Sequence, residues 1–136
     1  MINDGIRKPV SVVAIGAGNR TSKYLEYVRR NPDKVKLVGV VELNDIRRNH
    51  VAEQFGLTES QCFTDYKDFF RQEKEADAVM VCTPENMHFE PCMLAIEAGY
   101  HILLEKPIAP TLEECLAIGK AAREKGVIVA VCHVLR

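Results

Sequence analysis

Val10-Ser-Val-Val-Ala-Ile15 runs without a spacer into Gly16-Ala-Gly-Asn-Arg-Thr21, and the rest of the chain can be placed from that junction. The apolar run reads as a buried strand and the glycine pair as a turn. Lys23 to Arg30, with Tyr24, Leu25, Tyr27 and Val28 at helical spacing, reads as a helix. Strand, glycine turn and helix in that order make a site for a phosphate. Gly16 can adopt the angles of a tight turn, and Gly18 brings no side chain to hold a pyrophosphate away. The first free N–H groups of the helix point at the anion, and Asn19 and Arg20 can add donors. A dinucleotide site also needs an acidic residue ending the next strand, about 20 residues on, to take the ribose hydroxyls. Lys36-Leu-Val-Gly-Val-Val-Glu42 supplies it. A Gly-x-Gly pair alone is a weak signal; turn, helical pattern and Glu42 together carry the reading. Thr21 stands where the fingerprint has a third Gly or Ala, which predicts slightly wider packing of helix on strand, or a subtype.

Working outward, Asn31-Pro-Asp33 ends the first helix. Asn44 caps a helix from Asp45 to Phe55, whose apolar stripe is Ile46, Val51, Ala52 and Phe55, and Gly56 stops it. Gln61 to Phe63 is a short strand, and Asp65 caps a brief helix that turns Phe69 and Phe70 inward. Ala76 to Cys82 is a fourth strand, ended by Thr83-Pro84. A helix from about His88 to Ala98 follows, then a fifth strand, His101 to Glu105. Thr111 and Glu114 form a capping box for a helix to Lys125, and Val127 to Cys132 is the sixth strand. Strands and helices alternate, and near-continuous apolar strands belong to a parallel sheet covered on both faces. The fold class is therefore α/β, a doubly wound Rossmann sheet in three α/β/α layers, with strand order 3-2-1-4-5-6.

The totals agree with one domain over residues 1–136, at 47% hydrophobic and 27% charged. A net charge of −1 argues against nucleic acid as the main partner, because a phosphate-backbone binder needs a basic excess. No apolar run approaches the roughly 20 residues of a membrane span, and the N-terminus lacks the apolar core of a signal peptide. Five scattered cysteines without a C-x-x-C pair suggest a reducing, cytoplasmic setting, with no disulfide framework and no metal site. His50, His101 and His133 have no partner at metal-ligand spacing and read as structural or exposed. Arg136 arrives directly after the sixth strand. Folds of this type bind ligands outside the carboxyl ends of their strands, usually beneath a second domain. The expectation is a fragment, with a naturally short protein as the alternative.

Three loops leave the carboxyl ends of strands one, four and five: Gly16 to Thr21, Thr83 to His88, and Glu105-Lys106-Pro107. They converge on one crevice. Lys106, directly after a buried strand, can be partly desolvated and tuned for proton transfer; the alternative is an exposed loop lysine. Glu105 can orient a ribose or pair with Lys106, or merely end a strand. Pro107 fixes the loop, and the peptide before it can be cis. His88 opens a helix, where its ring can approach a phosphate or cap the helix. There is no nucleophile elbow and no Walker lysine.

These residues together resemble the Gfo/Idh/MocA family, the glucose–fructose oxidoreductase, inositol dehydrogenase and rhizopine-catabolism group. Gly-Ala-Gly-Asn-Arg, Glu42, Thr83-Pro84 with His88, Ala98-Gly-Tyr-His101 and Glu105-Lys106-Pro107 carry the resemblance, which covers essentially the whole chain as that family's N-terminal dinucleotide-binding domain. It implies an NAD(P)-dependent oxidoreductase passing a hydride between nicotinamide C4 and a sugar, polyol or related hydroxy compound. Cofactor-binding residues would be Gly16, Ala17, Gly18, Asn19, Arg20, Glu42, Thr83, Pro84, His88, Glu105 and Lys106. Of these, Lys106 would also be catalytic, and Glu105 would lie near the nicotinamide ribose. The family's main acid/base residues would belong to a C-terminal α+β domain used for substrate binding and oligomerisation, missing from this chain; the full-length protein would be a homo-oligomer. Thr21 departs from the family pattern, and so does Glu85, which stands where many members have asparagine. Glu42 favours NAD over NADP by repelling a 2′-phosphate, unless Arg47 or Arg48 swings toward the ribose. Two other functions compete: an NAD-dependent glycosidase of the same family, and a non-catalytic nucleotide-binding module. The chain by itself is expected to bind NAD weakly and turn nothing over.

Overall fold

The computed structural model describes residues 7–133. The expectations for Val134, Leu135 and Arg136, and for the first six residues, lie outside the described residues. Among the described residues, six parallel strands form one sheet: β1 (Val10–Ile15), β2 (Val35–Val41), β3 (Cys62–Phe63), β4 (Ala78–Val81), β5 (His101–Glu105) and β6 (Val129–Cys132). Their order across the sheet is β3-β2-β1-β4-β5-β6, as the alternation predicts. The crossovers are α1 (Asn19–Arg30), α2 (Asp45–Phe55), α3 (Tyr66–Arg71), α4 (Phe89–Glu97) and α5 (Leu112–Lys125). No helix among the described residues is long and apolar enough to cross a membrane.

Alternate residues of β1 feed two separate cores. Val12 and Ala14 pack with Leu25 and Val28 of α1 and Val51 of α2. Val13 and Ile15 face the other way, toward Phe69 of α3, Ile96 of α4 and Ile118 of α5. The strands are buried on both sides because both faces carry helices, and that is why they read as continuous apolar runs. Each fully buried Val or Leu, such as Val79 and Leu104, contributes roughly 1.5–3 kcal/mol.

Three expectations shift. α1 begins at Asn19, directly after its N-cap Gly18, rather than at Lys23. Its first turn is polar, so apolar spacing could not reveal it. Ile46 is 81% exposed and Tyr27 55%, so neither belongs to the core; α2 buries Val51 fully and Ala52 and Phe55 in part. β4 and β6 each start two residues later than the apolar runs that announce them. The caps hold as read: Asn44 accepts from the Arg47 N–H, Asp65 from the Lys67 N–H, and Thr111 with Glu114 closes a capping box.

Candidate functional site

Gly16 leaves β1 with φ of +93°, and a Cβ there would sit 3.0 Å from the Cys82 carbonyl oxygen. The turn is wedged against the end of β4, so glycine is required twice over. Thr21 fastens it from within. That side chain is 1% exposed, and its Oγ1 donates to the Gly16 carbonyl at 2.8 Å. A Cβ on Gly18, by contrast, would meet nothing within 4 Å. α1 starts on the next residue with no side chain capping it and no acidic residue in its first turn. Its leading N–H groups therefore lack partners within the helix, as an anion-binding terminus requires.

Glu42 follows β2 and reaches back to this corner. Oε2 accepts from the Ala17 N–H at 2.7 Å and Oε1 from the Asn44 N–H at 2.9 Å. Arg48 is fixed nearby, donating through Nη1 to the Glu42 carbonyl at 2.7 Å and paired through Nη2 with Asp45. Arg47 instead lines the opening, and Leu43 beside it is 76% exposed. Across the opening stand Tyr66 and Lys67, both anchored on Glu90 of α4, at 2.7 Å and 3.3 Å.

The opposite corner is built from side chains. Glu105, the last residue of β5, is 9% exposed. Its carboxylate accepts from the Tyr24 hydroxyl and pairs with Arg20 Nε at 3.3 Å, both donors standing on α1. Burial first, then Cys132 and Glu105, pushes the Tyr24 phenol above its ordinary range, so it remains a donor. Cys82 forms part of the floor, its thiol pushed up to about 12 chiefly by burial and hence neutral. His88 is 1% exposed, with Nδ1 2.8 Å from the Pro107 carbonyl and Nε2 2.8 Å from the Thr83 carbonyl. The ring ties the loop after β4 to the loop after β5.

One crevice of about 740 Å³ joins the two corners, a size suited to a cofactor. Gly16, Ala17, Gly18, Arg20, Glu42 and Glu105 line it, as do Thr83 and Pro84. Asn19, His88 and Lys106 are not among its lining residues. Asn19 is exposed at the start of α1 and Lys106 is exposed one residue beyond Glu105, so Lys106 is not desolvated. His88 is the N-cap residue of α4, but its ring makes no capping bond: it faces two carbonyls rather than the crevice, which corrects the expectation that the ring approaches a phosphate. Glu105 pairs with Arg20 rather than with Lys106. Glu85 is exposed in a short 3-10 turn, Glu85–Met87, and the Lys106–Pro107 peptide is cis. Tyr24, read from sequence only as an apolar position, is a polar partner at the site. Its spacing of four from Arg20 on a helix could have flagged the pair.

An open Gly18 face, unpartnered helix amides and a carboxylate held against Ala17 fit the pyrophosphate and ribose of a dinucleotide. Comparisons with known proteins point the same way. Residues 10–133 match the family described as "Oxidoreductase family, NAD-binding Rossmann fold", GFO_IDH_MocA. The chain is 30% identical over 125 residues to 4-carboxy-2-hydroxymuconate-6-semialdehyde dehydrogenase of Sphingobium sp., covering 92% of this chain and 38% of that protein. It is 30% identical over 122 residues to D-glucoside 3-dehydrogenase of Escherichia coli, covering 90% and 34%. Biliverdin reductase of Synechocystis sp. PCC 6803, solved with biliverdin and NADP+, superposes with a TM-score of 0.82 at 26% identity, covering 93% and 38%. The chain thus spans little more than a third of the length of each.

Proposed function

Because the chain belongs to the Gfo/Idh/MocA oxidoreductase family, as an NAD(P)-binding Rossmann domain, we propose that it is the cofactor half of a dehydrogenase acting on a sugar, polyol or related hydroxy compound. In this reading the substrate is held by the length of the relatives that this chain does not span. The name of the D-glucoside 3-dehydrogenase relative supports a carbohydrate; that of the semialdehyde dehydrogenase marks how widely substrates differ among relatives. The cofactor, when bound, supplies the nicotinamide carbon that takes or gives the hydride.

The residues divide the work. Gly16 to Gly18 and the first amides of α1 bind the pyrophosphate, with Arg20 beside them. Glu42 orients the adenosine ribose, and Thr83, Pro84 and Glu105 form the wall at the nicotinamide end. Lys106 Nζ, exposed one residue beyond Glu105, moves the proton of the substrate hydroxyl. His88 acts at one remove, holding the two loops in register through Thr83 and Pro107.

The observation that carries this reading is the Glu42 contact to the Ala17 N–H at 2.7 Å. It puts a carboxylate at the rim of the glycine turn, where a ribose would sit, and it disfavours a 2′-phosphate there. NAD is therefore preferred. NADP is the second reading, favoured by Arg47, which lines the same rim while Arg48 is tied to the Glu42 carbonyl. Titration of the chain with NADH and NADPH by nicotinamide fluorescence tests both. Saturation below a millimolar, tighter for NADH, is expected; no binding of either at millimolar concentration overturns the assignment.

A further inference from the structure

Glu105 is held by two donors from the same helix. Arg20 and Tyr24 lie one turn apart on α1, and both reach across to the end of β5, a sequence separation of 81 for the tyrosine. The Glu105 side chain is 11% exposed against 41% for Arg20, so the carboxylate is nearly dry while the guanidinium keeps contact with water. Each carboxylate oxygen has one donor and a second lone pair to offer. With one oxygen fixed by Tyr24 and the other by Arg20, the carboxylate cannot turn, and its unused lone pairs keep one direction. Glu105 also lines the crevice, so that direction is available to a ligand there.

Resting on the cofactor reading above, we propose that Tyr24 is a positioning residue for the nicotinamide half of the dinucleotide. Its hydroxyl, together with Arg20, fixes the Glu105 carboxylate so that it accepts from the nicotinamide ribose. The helix that receives the pyrophosphate is thereby linked to the strand end that meets the nicotinamide. The adenosine and pyrophosphate contacts do not pass through Tyr24. A raised phenol keeps the hydroxyl protonated at working pH, so the device needs no switching proton.

The test compares NADH with ADP, which carries the adenosine and the pyrophosphate but neither the nicotinamide nor its ribose. Both are titrated into the wild-type chain, Tyr24→Phe, Glu105→Gln and the double variant. A hydrogen bond to a charged group sets the expected scale. Tyr24→Phe should weaken NADH by about five- to tenfold and ADP by less than about twofold. The double variant should bind NADH little worse than Glu105→Gln alone, because the two residues act as one unit. A purely structural tyrosine would weaken both ligands alike, and that result overturns the inference. Unchanged NADH affinity in Tyr24→Phe, or additive losses in the double variant, also overturn it. Wild-type chain that binds neither ligand would remove the cofactor reading itself, and is told apart from the other outcomes by the ADP arm.

Discussion

The two corners of the crevice are made of different materials. At the β1–α1 junction, backbone does the work. Gly16 is pressed against the Cys82 carbonyl, Gly18 is bare, and Glu42 accepts a main-chain N–H. At the ends of β4 and β5 the same crevice is shaped by side chains from distant parts of the chain: Tyr24 and Arg20 on Glu105, and His88 on Thr83 and Pro107. A backbone corner fails when a side chain is added, and a side-chain corner fails when one is removed. The first is rigid because glycine conformations and strand ends are fixed together. The second is adjustable, since its rim can change residue by residue while the sheet beneath stays as it is.

The largest effect should come from the side-chain corner. His88→Ala empties a buried site and removes a ring whose two nitrogens each stand 2.8 Å from a loop carbonyl, which should cost about 3–4 kcal/mol in urea denaturation. A loss below about 1 kcal/mol would mean that the two loops stand without the ring. Next is Gly16→Ala, expected to cost about 2–3 kcal/mol because a Cβ meets backbone at 3.0 Å in a positive-φ conformation. If that variant unfolds at the wild-type midpoint, the backbone corner is softer than its geometry implies.

Glu42→Ala sharpens the contrast without attacking the fold. It should shrink the preference for NADH over NADPH by about tenfold in paired titrations, the scale of one charge-assisted contact. An unchanged ratio would separate Glu42 from the ribose. The smallest effect is a control at the far end of the strands, where the Asp77 carboxylate accepts from Ser11 N–H and Oγ, each at 2.9 Å. These bonds, the main-chain one foremost, hold the Asp77 carboxyl below the usual carboxylate range. Its stabilising contribution is therefore complete above about pH 4 and is lost as pH falls through the lowered folded value. Ser11→Ala should flatten that acid limb only slightly, because solvent screens an exposed carboxylate, and should leave NADH affinity unchanged. Weaker NADH binding in this variant would break the separation between the two ends of the sheet.

What could be read from sequence follows the same division. Strand order, the caps at Asn44, Asp65 and Thr111, and the Gly16–Gly18 turn depend on local chemistry: apolar runs, capping side chains and glycine. Local chemistry survives in the order of residues. The Tyr24–Glu105 contact does not, because tyrosine at helical spacing looks like an apolar position until a distant strand end is brought beside it. His88 was visible as a helix opener, yet its function depends on where Pro107 falls, 19 residues away. Lys106 takes the exposed one of its two readings for a related reason. Burial of β5 stops at Glu105, and the next side chain turns out to solvent. Ile46 is misplaced because hydrophobic spacing cannot distinguish a core position from an exposed one.

The central claim is that one ligand bridges both corners, and amide chemical-shift mapping of the ¹⁵N-labelled chain during an NAD titration tests it most directly. The account predicts that the Gly16, Ala17, Gly18 and Arg20 amides move together with those of Thr83 and Glu105 along a single saturation curve. A second cleft, of about 500 Å³ and lined by Gly39, Phe69 and Tyr100, lies on the α3 face away from both corners. Shifts gathered there, with the glycine turn and the β5 end unmoved, would contradict the account.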